Sequence, residues 1–491
     1  MSDGPRLARD LGLWGLVATG VCSMVGAGLN IVPFMIQRHV PGIGPWVVPA
    51  YLLAAVPALL AALAYAILAS AMPRAGGSYV YASRGLSPYL GFVASFSQWA
   101  ALAIAIGVVS YVLPPFLRDL CAVAGLDGAA ATIERGPVRL AIAFAALGLA
   151  TLVNLRGVRT LQLTLVPLML LTLGLGAVVI VAGWRLSPGA FLAAAAPGAS
   201  AAPPAPAPFS WGVLLPGAAL LFSSFIGFDA IAQAGGEARD PGRTLPRAIG
   251  IAIVGVGAFY LAFTAAVYHA VPWHWLAEEA RTRDVTAPGL LGRALPTAWA
   301  VPMVAGAAVA LAKDLPAMLL GVSRLMFAWA DDGIMPAELA RLHPVRRTPD
   351  AAILCSAALG AVSILGGHLA GDFFLGVDFL VTAMLVNFVL MCATVLALPA
   401  RNPALAAAVT VLPDRRLQAP LAWAGIALLG GLLAVHTWRD LTAPRDAWYF
   451  RSTPVWLLIM AVGTAIYLRE RRAARRAGRD LHATFATLPA E

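Results

Sequence analysis

The chain has 491 residues, of which 60% are hydrophobic and only 12% are charged, and its mean hydropathy is +0.81. Soluble domains carry about a quarter charged residues, so this composition excludes an ordinary soluble protein and predicts an all-α polytopic membrane protein. The net charge of +10 does not indicate a nucleic-acid partner. The arginines gather at the ends of apolar segments and in the C-terminal tail, where basic residues set membrane orientation and contact the lipid bilayer.

About twelve apolar segments follow one another along the chain, each long enough for the roughly 20 residues that a membrane crossing needs. Their predicted bounds are 11–36, 44–71, 89–117, 138–154, 158–183, 211–235, 245–271, 296–329, 351–368, 373–398, 418–437 and 453–468. An even number places both termini on one side. Arginines on that side outnumber those on the other by roughly two to one, which predicts cytoplasmic termini. The alanine- and arginine-rich composition suggests a bacterial inner membrane, and no removable signal peptide is expected.

The first apolar segment contains a sequence that disfavours a helix at its centre, M-V-G-A-G-L-N-I-V-P at 24–33. Glycine and proline both weaken a helix interior. Non-helical backbone at membrane depth is tolerated only where it is buried in protein or lines a cavity. Small residues also serve close helix packing in membranes, so this stretch alone leaves both interpretations open.

The sixth segment contains a second such interruption, F-S-S-F-I-G-F-D at 222–229. The two interruptions lie about 200 residues apart, near corresponding positions of two five-span halves. Paired interruptions of this kind are typical of transporters whose binding site lies between two inverted repeats. We therefore predict a cytoplasmic N-terminus (1–10), a ten-span core (11–398, with halves at about 11–183 and 211–398), two further spans (399–468) and a basic cytoplasmic tail (469–491).

A broken helix offers unpaired N–H groups and a positive dipole end, which suit a carboxylate. The amides of Gly26, Ala27 and Gly28 are the candidates, since glycine lets a ligand approach the backbone. We expect no cofactor and no metal. The chain carries no P-loop, HExxH or GxSxG motif, so an enzyme is not predicted.

Ionisable residues inside apolar segments usually have functional partners, and three of them are candidates here. Asp229 follows the second interruption and is expected to face a cavity or a partner, or else to form a local hydrogen bond to backbone; the family resemblance given below links an acid at this position to gating or proton coupling. Lys313 and Asp314 lie in the eighth segment; adjacent helical residues point about 100° apart, so they need not pair. Lys313 can exchange a proton as its surroundings change. The alternative is a buried ion pair of Lys313 with Asp229, Asp314 or Asp378.

Five stretches in order resemble the amino acid–polyamine–organocation (APC) superfamily of permeases. They are M-V-G-A-G-L-N-I-V-P (24–33), P-R-A-G-G-S-Y-V-Y (73–81), N-L-R-G-V-R (154–159), F-I-G-F-D-A-I-A-Q-A-G-G-E (225–237) and S-R-L-M-F-A-W-A-D-D-G-I-M-P (323–336). The resemblance implies a LeuT-like core of five plus five inverted-repeat spans, with helices 1 and 6 discontinuous and two spans appended. It also implies alternating-access transport of amino acids or related amines across the plasma membrane.

The resemblance assigns the substrate carboxylate to the same three amides, and the substrate ammonium to the carbonyls of Met24, Ser223 and Ile226. Ser224 and Phe225 line the same break, and Phe228 and Gln98 are candidates for side-chain selectivity. Asn30 replaces the aromatic residue of the family pattern. It would either contact the substrate or cap a freed backbone group.

The resemblance also bears on the coupling ion. Hydroxyl side chains that help to hold sodium in sodium-coupled relatives are replaced here by alanine and leucine near Lys313. Protons are therefore the expected coupling ion, in symport or during exchange. Some proton-coupled relatives carry a lysine in span five, where this chain has Met169, and Lys313 would replace it from the facing helix. The competing functions are a sensor that binds amino acids without moving them, and a polyamine or organocation transporter.

Overall fold

The computed structural model describes residues 11–156, 161–198, 208–346, 348–445, 447–478, 485, 487 and 488, with only the backbone for 161–165. Within these ranges the chain is helical, and its one extended pairing is an isolated bridge between Leu11 and Ala238. The predicted N-terminal segment 1–10 and most of the tail beyond residue 478 lie outside the described residues.

Eleven helices in the described part of the chain are long and apolar enough to cross a membrane. We number them spans 2 to 12: Gly44–Ala71, Pro88–Val123, Gly136–Arg156, Val166–Arg185, Trp211–Gln233, Pro241–Ala270, Thr297–Asp331, Asp350–Leu369, Phe374–Arg401, Arg415–Thr442 and Ser452–Arg476. Each corresponds to one predicted segment, which confirms the all-α polytopic fold. Shorter helices connect them at Ser78–Gly85, Asp127–Ile133, Pro188–Ala195, Trp273–Thr282, Ala287–Gly292 and Pro403–Ala407.

Large apolar side chains on the outside of the spans are exposed, among them Leu149, Leu170, Val254 and Leu457. In water such a surface would drive association. In a bilayer it contacts hydrocarbon, which is as apolar as the side chains themselves. The protein is therefore a multi-pass membrane protein.

The first predicted segment, span 1, consists of three short helices, Leu13–Met24, Ala27–Asn30 and Val32–His39. Between the first two, Val25 has φ −83° and ψ 90°, and Gly26 has φ −152° and ψ −125°, so neither continues the helix. The predicted interruption at 24–33 is therefore a true break, and the apolar helix Leu13–Met24 of span 1 is too short to cross a membrane by itself.

Span 6 is interrupted as predicted. Its helix Trp211–Leu221 tightens into a 3₁₀ turn at Phe222–Phe225 and resumes at Asp229–Gln233. Gly227 has φ +129°, a conformation that side chains other than glycine rarely adopt. A Cβ atom there would lie 2.6 Å from the carbonyl oxygen of Ser23. Only glycine lets the two broken spans approach this closely.

Spans 3 and 7 each pack against several other spans. Span 3 packs against spans 8, 9 and 10, and span 7 packs against spans 2 and 5 and the helix Leu13–Met24. Span 7 also contacts Ala27–Asn30 and Phe222–Phe225, so both breaks lie within the bundle.

Candidate functional site

The two breaks are in direct contact. The Ser224 hydroxyl donates a hydrogen bond to the carbonyl of Gly28 (2.8 Å), and Tyr51 of span 2 approaches the same oxygen at 3.5 Å. A Cβ atom on Gly28 would lie 3.0 Å from the Cα atom of Ser224. The two stretches, which lie about 200 residues apart in the sequence, thus meet in the folded chain.

The backbone at the first break is only partly paired. The carbonyl of Gly26 accepts hydrogen bonds from the amides of Leu29 and Asn30, both at 3.3 Å, and from the Asn30 side chain at 3.1 Å. The Asn30 side chain thus forms a hydrogen bond with the backbone at the break, and both roles predicted for it stay predictions. Ala27 and Gly28 stand in the first turn of a new helix, where helix geometry supplies no carbonyl for their N–H groups.

Two of the three carbonyls predicted to receive an ammonium group already accept one hydrogen bond. The carbonyl of Met24 accepts from the Tyr260 hydroxyl at 2.5 Å, and that of Ser223 accepts from the amide of Ile226 at 3.3 Å. A carbonyl oxygen has two lone pairs, so each retains one position for a further donor. The Ser223 hydroxyl itself donates to the carbonyl of Leu220 (2.6 Å).

The aromatic residues of the second break take different neighbours. Phe225 meets Tyr51 edge-on, with ring centroids 5.6 Å apart, and so lies beside the contact between the breaks. Phe228 stacks on Phe388 at 5.2 Å and meets Tyr65 edge-on. Phe228 thus packs in an aromatic cluster between spans 2, 6 and 10.

Asp229 is fully buried and has neutral partners. One carboxylate oxygen accepts from the amide of Gly227 (3.0 Å), and the other accepts from the side-chain amide of Gln98. The Gln98 carbonyl in turn accepts from the Ser78 hydroxyl. Gln98, predicted as a selectivity residue, therefore contacts the acid and links it to the helix Ser78–Gly85.

Lys313 pairs with the adjacent Asp314, with Nζ and Oδ1 3.2 Å apart and both side chains largely buried. Of the three acids considered as partners, Asp314 is the one in contact. The pair faces the first break: a Cβ atom on Gly26 would lie 2.1 Å from Asp314 Oδ2. The thiol of Cys22 also forms a hydrogen bond with Lys313. A buried cation and anion thus line the broken part of span 1.

Contacts also tie the two ends of the bundle. At the near end, defined by Leu11 and Arg324, Leu11 exchanges backbone hydrogen bonds with Glu237 (2.9 Å) and Arg239 (2.8 Å). Glu237 forms an ion pair with Arg324 of span 8 at 2.6 Å. The far end, defined by His39, holds a second ionic cluster that is described below.

Sequence reasoning missed several residues of the site. Tyr51, Tyr260 and Ser78 each donate to a group at one of the breaks or to its partner. The available signal was a tyrosine inside an apolar span, since a buried hydroxyl usually has a hydrogen-bond partner. A buried tyrosine in the sequence therefore indicates a hydrogen-bond donor, but it does not show which group accepts the hydrogen bond.

Broken spans in contact within a polytopic bundle define the class of membrane permeases built on discontinuous helices. A family model described as amino acid permease matches residues 11–462. The chain therefore belongs to this family, within the APC superfamily, and is a transporter-family protein rather than an enzyme.

The chain is also similar to individual proteins. It is 32% identical to an uncharacterised transporter of Mycobacterium tuberculosis over 387 residues, which cover 74% of this chain and 76% of that protein. It is 27% identical to a branched-chain amino acid permease of Bacillus subtilis over 386 residues (75% and 76%). It is 28% identical to a vacuolar cationic amino acid transporter of Arabidopsis thaliana over 371 residues (73% and 59%).

Proposed function

We propose that this protein moves amino acids or related amines across a bacterial inner membrane by alternating access, with both termini in the cytoplasm. The contact between the breaks of spans 1 and 6 carries the proposal, because transporters place their substrates where discontinuous helices meet. The family match and the amino acid transporters among the relatives support the substrate class. In this proposal residues 11–398 form the transport core, and spans 11 and 12 are additions to it.

The substrate carboxylate would bind the amides of Gly26, Ala27 and Gly28, and its ammonium group the carbonyls of Met24, Ser223 and Ile226. The unpaired first-turn amides support the first assignment. The remaining lone pairs of the carbonyls support the second.

Uptake of labelled amino acids into proteoliposomes, with and without a pH gradient, tests this function. A transporter accumulates label inside the vesicles, and a gradient increases the accumulation if protons are coupled. A sensor binds the same amino acids, as seen by a rise in the melting temperature, and accumulates none. Binding without uptake or exchange under any gradient would overturn the proposal.

We assign proton coupling to Lys313, since loss of its proton would leave Asp314 as an uncompensated anion beside Gly26. Lys313→Ala should abolish proton-driven uptake and leave exchange intact in the protein that remains folded. Lys313→Arg is the matched control because arginine keeps the charge and does not release its proton, so it should exchange without responding to the gradient. Unchanged pH-dependent uptake in Lys313→Ala would contradict the assignment.

One observation favours a second substrate class. The carboxylate of Asp314 lies against Gly26, where an organic amine without a carboxylate could pair with it. Thermal-shift measurements against neutral amino acids, cationic amino acids and polyamines separate the classes. Stabilisation by polyamines alone would favour an organocation transporter.

A further inference from the structure

The far end of span 1 carries two basic residues that meet acids from separate segments. Arg38 lies 3.4 Å from Asp284, which follows the helix Trp273–Thr282, and 3.2 Å from Asp372, in the turn between spans 9 and 10. His39 Nδ1 lies 3.1 Å from Asp372 Oδ2, and Nε2 lies 3.6 Å from Asp378 Oδ2 of span 10. The far end of span 1 is thus in contact with the turn between spans 9 and 10, with the beginning of span 10 and with the segment after the helix Trp273–Thr282.

His39 lies between two carboxylates: Nδ1 is within hydrogen-bond distance of Asp372, and Nε2, which has no hydrogen-bond partner among the described groups, lies 3.6 Å from Asp378. Its ring stacks on Phe374, with centroids 4.1 Å apart, which sets the plane of the ring. A neutral imidazole has one N–H donor and one lone pair, so it would turn a lone pair towards one of the two carboxylates. The doubly protonated ring is attracted to both. Burial alone would raise the pKa of Asp372, but the hydrogen bond from His39 and the charges of His39 and Arg38 lower it to about 2.

The other charged groups around these acids are mainly arginines. Asp378 lies 3.9 Å from Arg439 and 3.7 Å from Arg445, and its carbonyl oxygen lies 3.0 Å from His436 Nε2. Arg439 also donates to the carbonyl of His39 (3.0 Å).

Asp284 is further paired with Arg139 at 2.5 Å, and the Arg139 guanidinium lies 4.1 Å from the ring of Tyr111. Arginine remains charged at all physiological pH values, whereas an unperturbed histidine titrates near about 6.5. Among the described basic groups that lie against the carboxylates of Asp372 and Asp378, His39 is therefore the one that is not an arginine and that can exchange its proton.

We propose that His39 is a regulatory proton-binding site that holds the far end closed, and that the far end is the outer one. A proton from the outer solution binds the imidazole and returns to the same side, so it is not the transported proton. The proposal rests on the proposed function, because it assumes that this end opens during transport.

The direction of the pH effect follows from the contacts. In the closed state the protonated ring lies between two carboxylates, and opening separates it from them. The closed state therefore binds this proton more tightly than the open state, so a fall in outer pH favours closure. For one linked proton, the ratio of closed to open protein changes by at most about tenfold per pH unit.

Labelling of an introduced cysteine tests the proposal without requiring transport. Val40 follows His39 and is buried, so Val40→Cys should react with a membrane-impermeant thiol reagent only when the outer end opens. The background carries Cys121→Ala and Cys355→Ala, which removes the two cysteines that are not buried.

The labelling rate is compared with and without His39→Gln between about pH 8 and about pH 5, a range that brackets histidine titration. The reagent's own pH dependence is common to both proteins. We expect the rate with His39 to fall more steeply, by several-fold over this range, than the rate with His39→Gln.

His274→Gln is the matched control, since His274 lies on the helix Trp273–Thr282 with its ring 5.8 Å from that of Trp273. It should keep the steep profile. Asp372→Asn is the second variant if His39→Gln does not fold, and it should flatten the profile because one of the two carboxylates is neutral. Equal pH profiles with and without His39 would overturn the proposal even if transport is established. Absence of uptake with a His39-dependent labelling profile would overturn the transport function and leave the proton site standing.

Discussion

A buried acid lies at each of the two breaks, and the two acids are stabilised in different ways. At the first break, Asp314 has a full cationic partner, Lys313, and lies against the backbone of Gly26. At the second, the partners of Asp229 are amide groups, among them those of Gln98 and Gly227. The first acid is part of an ion pair, and the second is part of a chain of neutral dipoles.

This difference has energetic consequences. A buried ion pair tolerates loss of one partner poorly, because the remaining charge has no compensation. A carboxyl group held by amide donors can lose its charge while most of its hydrogen bonds adjust. The stability of the first break should therefore depend strongly on the charge of Lys313. The stability of the second should depend on the hydrogen-bonding geometry around Asp229.

The largest expected effect is that of Lys313→Met. It leaves Asp314 buried without its partner, and we expect the free energy of unfolding to fall by about 3–5 kcal/mol. Unfolding of the purified protein in detergent measures this loss. The double variant Lys313→Met with Asp314→Asn should recover most of it, since both charges are then absent. A double variant as unstable as Lys313→Met alone would show that the charge is not the cause.

Gly26→Ala should have an intermediate effect. A Cβ atom at this position would lie 2.1 Å from Asp314 Oδ2, so the carboxylate must move away from the break. Such overpacking costs about 1–3 kcal/mol.

Gly250→Ala is the control for this change. Gly250 lies in span 7 with open space where a Cβ atom would be placed, so alanine should be neutral or slightly stabilising there. Substrate-induced thermal shifts should be lost in Gly26→Ala and retained in Gly250→Ala. Equal ligand-induced shifts in the two variants would show that Gly26 does not take part in substrate binding.

Asp229→Asn should have the smallest effect on stability, about 1 kcal/mol. Asparagine keeps an oxygen for the Gly227 amide, and the Gln98 side chain can turn to meet the new NH₂ group. Comparison of its melting temperature with that of Lys313→Met measures the contrast between the breaks. A loss as large as that of Lys313→Met would show that Asp229 also depends on a full charge.

The sequence was sufficient to predict both breaks, because glycine and proline inside an apolar run act locally. It also paired the two breaks through the repeat pattern, and Gly28 and Ser224 of these breaks are in contact. It did not select Asp314 from the three possible partners of Lys313. It did not identify Tyr260 as the donor to Met24 or Arg324 as the partner of Glu237. These contacts depend on how distant spans pack, and no local pattern in one sequence encodes that arrangement.

The helix Leu13–Met24 is fastened at both of its ends. At its beginning, Leu11 is bridged to the segment that follows span 6, and at its end the Met24 carbonyl is bound by the Tyr260 hydroxyl. While both sets of hydrogen bonds remain, this helix cannot rotate about either end independently of its partners. If this half of span 1 moves independently of span 7 and of the segment after span 6, one of these two contacts must break, and the other can serve as the pivot of the helix.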